Sequence, residues 1–177
     1  MFSWRGRNII FVGFMGTGKS LVARRLAKRL GRRFVDTDCW IEQEANMPIA
    51  QIFATGGEAA FRQRERQAIA RACQEKEMVI ATGGGAIVDR ENARTMKASG
   101  PVICLTARPE VILQRVQGDT TRPLLQGPNP LENIRRLLAD RAEAYARADI
   151  TIDTSSLGPD AIVEATLTAL AQSDSTV

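Results

Sequence analysis

Gly13-Phe14-Met15-Gly16-Thr17-Gly18-Lys19-Ser20 follows the apolar run Ile9-Ile10-Phe11-Val12 and opens the helix-like segment Leu21 to Leu30. Strand, glycine-rich turn and helix, with Lys-Ser at the helix start, match the phosphate-binding pattern G-x-x-x-x-G-K-[ST] in its required context. Backbone N–H groups of such a turn point inward and the helix N-terminus is partly positive, so polyphosphate is stabilised there. Lys19 is placed to reach terminal phosphates, and the Ser20 hydroxyl to bind Mg²⁺. With four lysines in the whole chain, chance placement in this slot is a poor explanation. The plain alternative, a turn that needs glycine for positive φ, is outweighed by motif and context together.

Working outward, strand-like and helix-like segments alternate. Ile9–Val12 leads to the helix Lys19–Leu30, and Phe34-Val35 ends in Asp36-Thr37-Asp38 before a helix from about Trp40 to Ala45. Helical stretches at about Ile49–Thr55 and Glu58–Glu75 precede the short strand Met78–Ala81, which runs into Thr82-Gly83-Gly84-Gly85. Helix Arg90–Ala98, strand Pro101–Leu105, helix Pro109–Val116, helix Leu131–Arg147, strand Ile150–Ile152 and helix Asp160–Ala171 follow. This β–α alternation predicts an α/β fold, a parallel sheet covered by helices on both faces with right-handed crossovers. No repeat or linker divides the 177 residues, a length that suits one domain.

Composition narrows the function. Hydrophobic residues make up 44% and charged residues 25%, with a net charge of +4, the balance of a soluble globular protein. Nine aromatic residues and no long Lys/Arg run do not indicate a nucleic-acid surface. The apolar stretches are too short for a bilayer, and the N-terminus lacks a signal-peptide pattern. Histidine is absent, which excludes His-based catalysis, and Cys39, Cys73 and Cys104 lack metal-type spacing. The cysteines read as small reduced core residues of a cytosolic protein.

Ligands of open α/β sheets bind beyond the carboxyl ends of the strands. The phosphate loop, Asp36 with Asp38, and the glycine triplet Gly83–Gly85 all fall at such ends, so they converge on one edge. Neither Met78–Ala81 nor Val102–Leu105 ends in an acid, which leaves Asp36 as the residue for Mg²⁺. Asp38 fits two roles, accepting the proton of an acceptor hydroxyl or capping the next helix. Asp153 also ends a strand, but with no charged neighbours expected around it. Three consecutive glycines expose N–H groups to a small polar ligand, or simply make a turn. Arg62, Arg64 and Arg66 share one helix and read equally as solvated charges, so spacing alone does not select Arg62. The Gly/Pro-rich segment Gly118 to Pro130 has the composition of a lid carrying one cation, Arg122, over a bound triphosphate. A passive surface loop is the alternative. Arg141 and Tyr145 share a helix face.

Together, GFMGTGKS, FVDTD, IFATGGEAAFRQRE, VIATGGG, TRPLL and RAEAY, between about Asn8 and Ile152, resemble the shikimate kinase family. These are P-loop kinases that phosphorylate the 3-hydroxyl of shikimate in aromatic amino-acid biosynthesis. The resemblance implies a three-layer α/β/α fold with a five-stranded parallel sheet in the order 2-3-1-4-5. It implies a monomer, and with the composition the expectation is a cytoplasmic protein without nucleic-acid or membrane partners, with acceptor-binding helices over about 38–76 and a lid over about 116–130. ATP, the co-substrate, would be bound by Gly16, Thr17, Gly18, Lys19, Ser20, Leu21, Arg115 and Arg122, with one Mg²⁺ per subunit on Ser20 and Asp36. Shikimate would be held by Asp38, Arg62, Gly83, Gly84, Gly85 and Arg141, the two arginines clamping its carboxylate. Lys19, Asp38 and Arg122 would be catalytic, while Phe61, Glu65 and Ile49 would shape the pocket. One departure stands out. Where many family members carry arginine beside the adenine after the last strand, this chain has Asp153-Thr154-Ser155-Ser156-Leu157, which passes adenine stacking to a residue such as Arg115.

Overall fold

The computed structural model describes residues 4–117 and 129–175. Its centre is β1 (Ile9–Val12), buried along its whole length. Alternate side chains go to opposite faces of a strand: Ile9 and Phe11 enter one core, Ile10 and Val12 the other. Around it lie β2 (Arg33–Asp36), β3 (Met78–Ala81), β4 (Val102–Thr106) and β5 (Ile150–Asp153), all parallel, in the order β2-β3-β1-β4-β5. This is the strand order expected from the sequence.

One face is covered by α1 (Lys19–Leu30) and α7 (Pro159–Ser175), through Val22, Leu26, Ile162 and Leu170. The other packs residues of α3 (Ile49–Gln74), α4 (Arg90–Ser99), α5 (Pro109–Val116) and α6 (Pro130–Tyr145), among them Ile69, Met96, Ile112 and Ile134. A short helix, α2 (Thr37–Ala45), stands beside α3 on a small separate core of Ile41, Ile52, Phe61 and Ala68. The two helices expected between residues 49 and 75 form one element broken at Gly57, whose φ of 74° and ψ of −177° interrupt the helical path.

The chain leaves β1 toward the α1 face and leaves β3, through the short 3₁₀ turn Ala86–Val88, toward the α4 face. Neighbouring strands whose connections diverge to opposite faces open a crevice at their carboxyl ends. The phosphate loop and the glycine triplet flank that crevice. Pairing of Asp36 with Ala81 brings the end of β2 to the same level. Among the described residues, no helix is long and apolar enough to cross a membrane. The cysteine expectation needs correction: Cys104 is buried, but Cys73 is half-buried and Cys39 exposed, because α2 turns residue 39 away from its small core.

Candidate active site

The loop after β1 is shaped by glycine at positions where nothing larger fits. Gly13 has φ 131°, and a Cβ there would stand 2.2 Å from the Leu105 carbonyl oxygen. Gly16 has φ 75° with Val116 Cγ1 at 2.8 Å from its notional Cβ. The left-handed region is costly for side-chain-bearing residues, so these two glycines are required on both counts. Gly18, at φ 95°, caps α1 without a side-chain bond and leaves the first-turn N–H groups directed at a ligand. Lys19 folds back, donating to the Phe14 carbonyl at 3.0 Å. Thr17 is fully buried and donates to the same carbonyl at 2.7 Å. From the far side, Arg115 Nη1 donates to the Gly16 carbonyl at 3.3 Å and its Nη2 to the Thr154 carbonyl at 2.7 Å. Arg115 thus ties the loop to the end of β5.

The carboxylates divide their work. Asp36, not Asp38, is the cap of α2: its Oδ1 accepts from the Asp38 N–H at 3.0 Å and the Cys39 N–H at 3.4 Å. The helix begins at Thr37, three residues earlier than its periodicity suggested. The other Asp36 oxygen accepts from Ser20 Oγ at 2.5 Å. A hydroxyl and a carboxylate side by side at the phosphate loop are the donors Mg²⁺ takes when it also keeps waters and phosphate oxygens. Asp38, released from capping, places Oδ1 out of reach of solvent with no hydrogen-bond partner. Burial, then the charge of Asp36, pushes its carboxyl up to about 7, against the opposing pull of Lys19. Glu65 Oε1 and the Thr37 hydroxyl are likewise buried without partners. A notional Cβ on Gly83 would lie 2.7 Å from Asp38 Oδ1 and 3.1 Å from Glu65 Oε1, so both orphaned oxygens border this glycine.

Of the three arginines that spacing could not separate, packing selects one. Arg62 Nη1 donates to buried Glu65 at 2.7 Å, while Arg66 turns away to Asp89 at 2.9 Å. The Arg62 guanidinium also stands beside Gly85, where a Cβ would be 2.9 Å from Nη1. Phe61, stacked on Phe53 with ring centroids 4.7 Å apart, forms an aromatic wall next to it. Opposite, on α6, Arg141 lies over the Phe14 ring at 5.6 Å and approaches the Gly84 carbonyl at 3.5 Å. Two cations, two orphaned carboxylate oxygens and a side-chain-free glycine wall therefore meet beside the phosphate loop. A small, polyhydroxylated carboxylate matches that combination.

A family model described as shikimate kinase matches residues 15–171. The chain belongs to the shikimate kinase family. Family members are ATP-dependent kinases that act on a shikimate hydroxyl. The chain is 45% identical over 158 residues to a shikimate kinase of Pelotomaculum thermopropionicum, covering 89% of this chain and 92% of the relative. It is 42% identical over 163 residues to that of Thermoanaerobacter pseudethanolicus, covering 92% and 95%. Among solved structures it is similar to shikimate kinase from Acinetobacter baumannii in complex with shikimate, with TM-score 0.90, 39% identity and 94% of each chain covered. A gluconokinase from Sinorhizobium meliloti, covering 96% of this chain and 94% of its own, has TM-score 0.55 at 20% identity and shares the fold alone.

The phosphate loop, Asp36 and Asp38, the glycine triplet, Arg62 and Arg141 meet in one crevice. Arg122 and most of the expected lid, residues 118–128, lie outside the described residues. Asp153 departs from expectation. Ser155 donates to it through N–H and hydroxyl, and, with Arg108 and Arg115 adding positive charge, holds its carboxyl below the usual range. Tyr145, whose phenol donates to the Gly84 carbonyl at 2.7 Å, has no motif of its own in the sequence. Its place one helical turn from Arg141 was the available signal.

Proposed function

We propose that this crevice transfers the γ-phosphate of ATP to the 3-hydroxyl of shikimate, with the residues below in defined roles. The observation that carries the assignment is the orphaned buried oxygens, two of which, Asp38 Oδ1 and Glu65 Oε1, border Gly83. Thr37 Oγ1, Asp38 Oδ1 and Glu65 Oε1 lack partners, and an unpaired buried polar atom costs about 1–3 kcal/mol unless a ligand answers it. A polyol bearing hydroxyl donors answers it.

In this reading the N–H groups of Gly16, Thr17, Gly18, Lys19, Ser20 and Leu21 cradle the phosphates. Lys19 exchanges its bond to Phe14 for phosphate oxygens, and Arg115 borders the nucleotide. Ser20 and Asp36 would hold one Mg²⁺, which would supply charge neutralisation for the polyphosphate. Arg62 and Arg141 hold the acceptor's carboxylate as charge-assisted pairs, and the bare edges of Gly83, Gly84 and Gly85 let its ring approach the backbone. That orientation places one hydroxyl against Asp38. As this oxygen bonds to the γ-phosphorus and the bond from phosphorus to the β,γ-bridging oxygen breaks, Asp38 takes the hydroxyl proton and ADP leaves. A carboxyl near pH 7 is matched to that transfer. Arg122 adds positive charge over the transferred group. We assign the whole of residues 1–177 to one cytoplasmic, monomeric domain with acceptor helices over 38–76 and a lid over 116–130.

A substrate panel with coupled ADP detection tests the assignment. Shikimate-dependent turnover requiring Mg²⁺ is expected, with gluconate inert. Turnover of gluconate in place of shikimate, or nucleotide binding without any turnover, overturns it.

A further inference from the structure

The glycine triplet is the least constrained part of the crevice by sequence, yet its peptides must point in fixed directions to serve a ligand. Neither the Gly84 nor the Gly85 N–H has a hydrogen-bond acceptor among the described residues, whereas the flanking Ala86 N–H donates to Gly83 O at 3.1 Å and Val88 N–H to Gly85 O at 3.0 Å. With the Gly83 N–H, which likewise has no acceptor among the described residues, the triplet presents a run of unanswered donors between the paired Thr82 and Ala86 N–H groups. On the opposite side of the same peptide, the Gly84 carbonyl accepts from the Tyr145 hydroxyl at 2.7 Å.

We propose that Tyr145 is a positioning residue that aims the Gly85 N–H at the acceptor by holding the Gly84 carbonyl. The inference rests on the reading of this crevice as the shikimate site. In a trans peptide the C=O and the following N–H point in opposite directions, and no peptide here is cis. Pinning the Gly84 oxygen toward the buried end of α6 therefore turns the Gly85 N–H the other way, at the residue that stands beside the Arg62 guanidinium. Glycine peptides flip readily because both halves of φ space are open to them, so an external hold is needed. Tyr145 can supply that hold, being 7% exposed and packed in the sheet core. Burial also pushes its phenol up to about 12, against the pull of Arg141, so it remains a donor throughout the working range. Gly84 in turn packs on the phosphate loop, its notional Cβ 3.4 Å from the Met15 nitrogen. One hydroxyl thereby relates the acceptor's backbone donor to the loop that presents the phosphate.

Tyr145→Phe keeps the ring and deletes the shorter of the two bonds to the Gly84 carbonyl, leaving the 3.5 Å contact of Arg141. The expected result is a rise of about fivefold in the shikimate KM, the equivalent of one net hydrogen bond, with the ATP KM within twofold of the parent. Leu138→Ala, which trims a core-packed side chain on the same helix, is expected to lower Tm while leaving both KM values unchanged. In protein labelled with ¹⁵N-glycine, saturating shikimate is expected to shift the Gly85 amide in the parent and to shift it less in Tyr145→Phe. An unchanged shikimate KM in Tyr145→Phe, or an equal amide shift in both proteins, overturns the inference. So does a KM rise in Leu138→Ala matching that of Tyr145→Phe. Arg62→Ala separates the two levels: if it also leaves the shikimate KM unchanged, the acceptor-site reading itself fails.

Discussion

Gly83→Ala puts a single methyl group where two carboxylates converge. The notional Cβ stands 2.7 Å from Asp38 Oδ1, 3.1 Å from Glu65 Oε1 and 3.3 Å from Asp38 Oδ2. Ordinary contact for such a pair begins near 3.4 Å, so Asp38 Oδ1 must retreat by about 0.7 Å and Glu65 by about 0.3 Å. Asp38 has little room to do so, because its own N–H is held by the Asp36 cap and Glu65 is tethered to Arg62. Gly83 does not need glycine for its backbone conformation, so the whole effect is steric. A misplacement approaching 1 Å costs about 10²-fold in turnover, so a loss of roughly 10- to 100-fold in kcat is expected, with ATP affinity unchanged. Overpacking of this size costs about 1–3 kcal/mol, which lowers Tm by a few degrees in a chain of this length. The assay is coupled ADP release with shikimate varied, alongside a thermal melt. Gly31→Ala is the control: at φ 65° with open space around it, it strains the α1 cap and costs about 1 kcal/mol with kcat unaltered. A Gly83→Ala enzyme whose kcat stays within twofold of the parent would refute the placement of Asp38 at the reacting hydroxyl.

The same geometry sets the outcome for three other variants and for removal of the metal. Asp38→Asn is expected to abolish turnover while ATP still binds, and loss of ATP binding would contradict a role on the acceptor. The same variant carries a pH signature in protein freed of metal and nucleotide. Because the folded carboxyl is raised from 3.8 to about 7, ionisation destabilises the fold progressively as pH rises through that window and by a constant amount above it. The Tm gain of Asp38→Asn should therefore be near zero at pH 4 and reach its plateau above pH 7, at no more than about 4 kcal/mol equivalent; a gain independent of pH would count against a strained carboxylate. Arg62→Ala is expected to raise the shikimate KM at least tenfold, and to lower Tm because Glu65, 1% exposed, is left as an unpaired buried charge. An ATP KM that rises instead would refute the clamp. Chelation with EDTA is expected to stop turnover, and Ser20→Ala to raise the Mg²⁺ needed for half-maximal rate about tenfold if each metal ligand contributes about 1.4 kcal/mol; an unaltered Mg²⁺ dependence would remove Ser20 from the metal site.

What could be read from the chain divides along a physical line. The phosphate loop was legible because its demands are local: positive φ at Gly13, Gly16 and Gly18, a strand before and a helix after. The sheet order followed from the family likeness, and its parallel layout from alternation alone. Asp38 stayed ambiguous because capping and proton transfer use the same residue type. Only the start of α2 at Thr37 showed that Asp36 does the capping and sets Asp38 free. Arg62 could not be told from Arg64 or Arg66, since the distinction lies in what each meets across space: Glu65 and Gly85 for Arg62, Asp89 for Arg66. The triplet shows the same limit most sharply. Three glycines signal close approach, but which peptide faces the ligand depends on a phenol 61 residues away. Residues that act through their own backbone conformation are visible in a sequence, and residues that act through a distant partner become visible only when the fold brings the partner in.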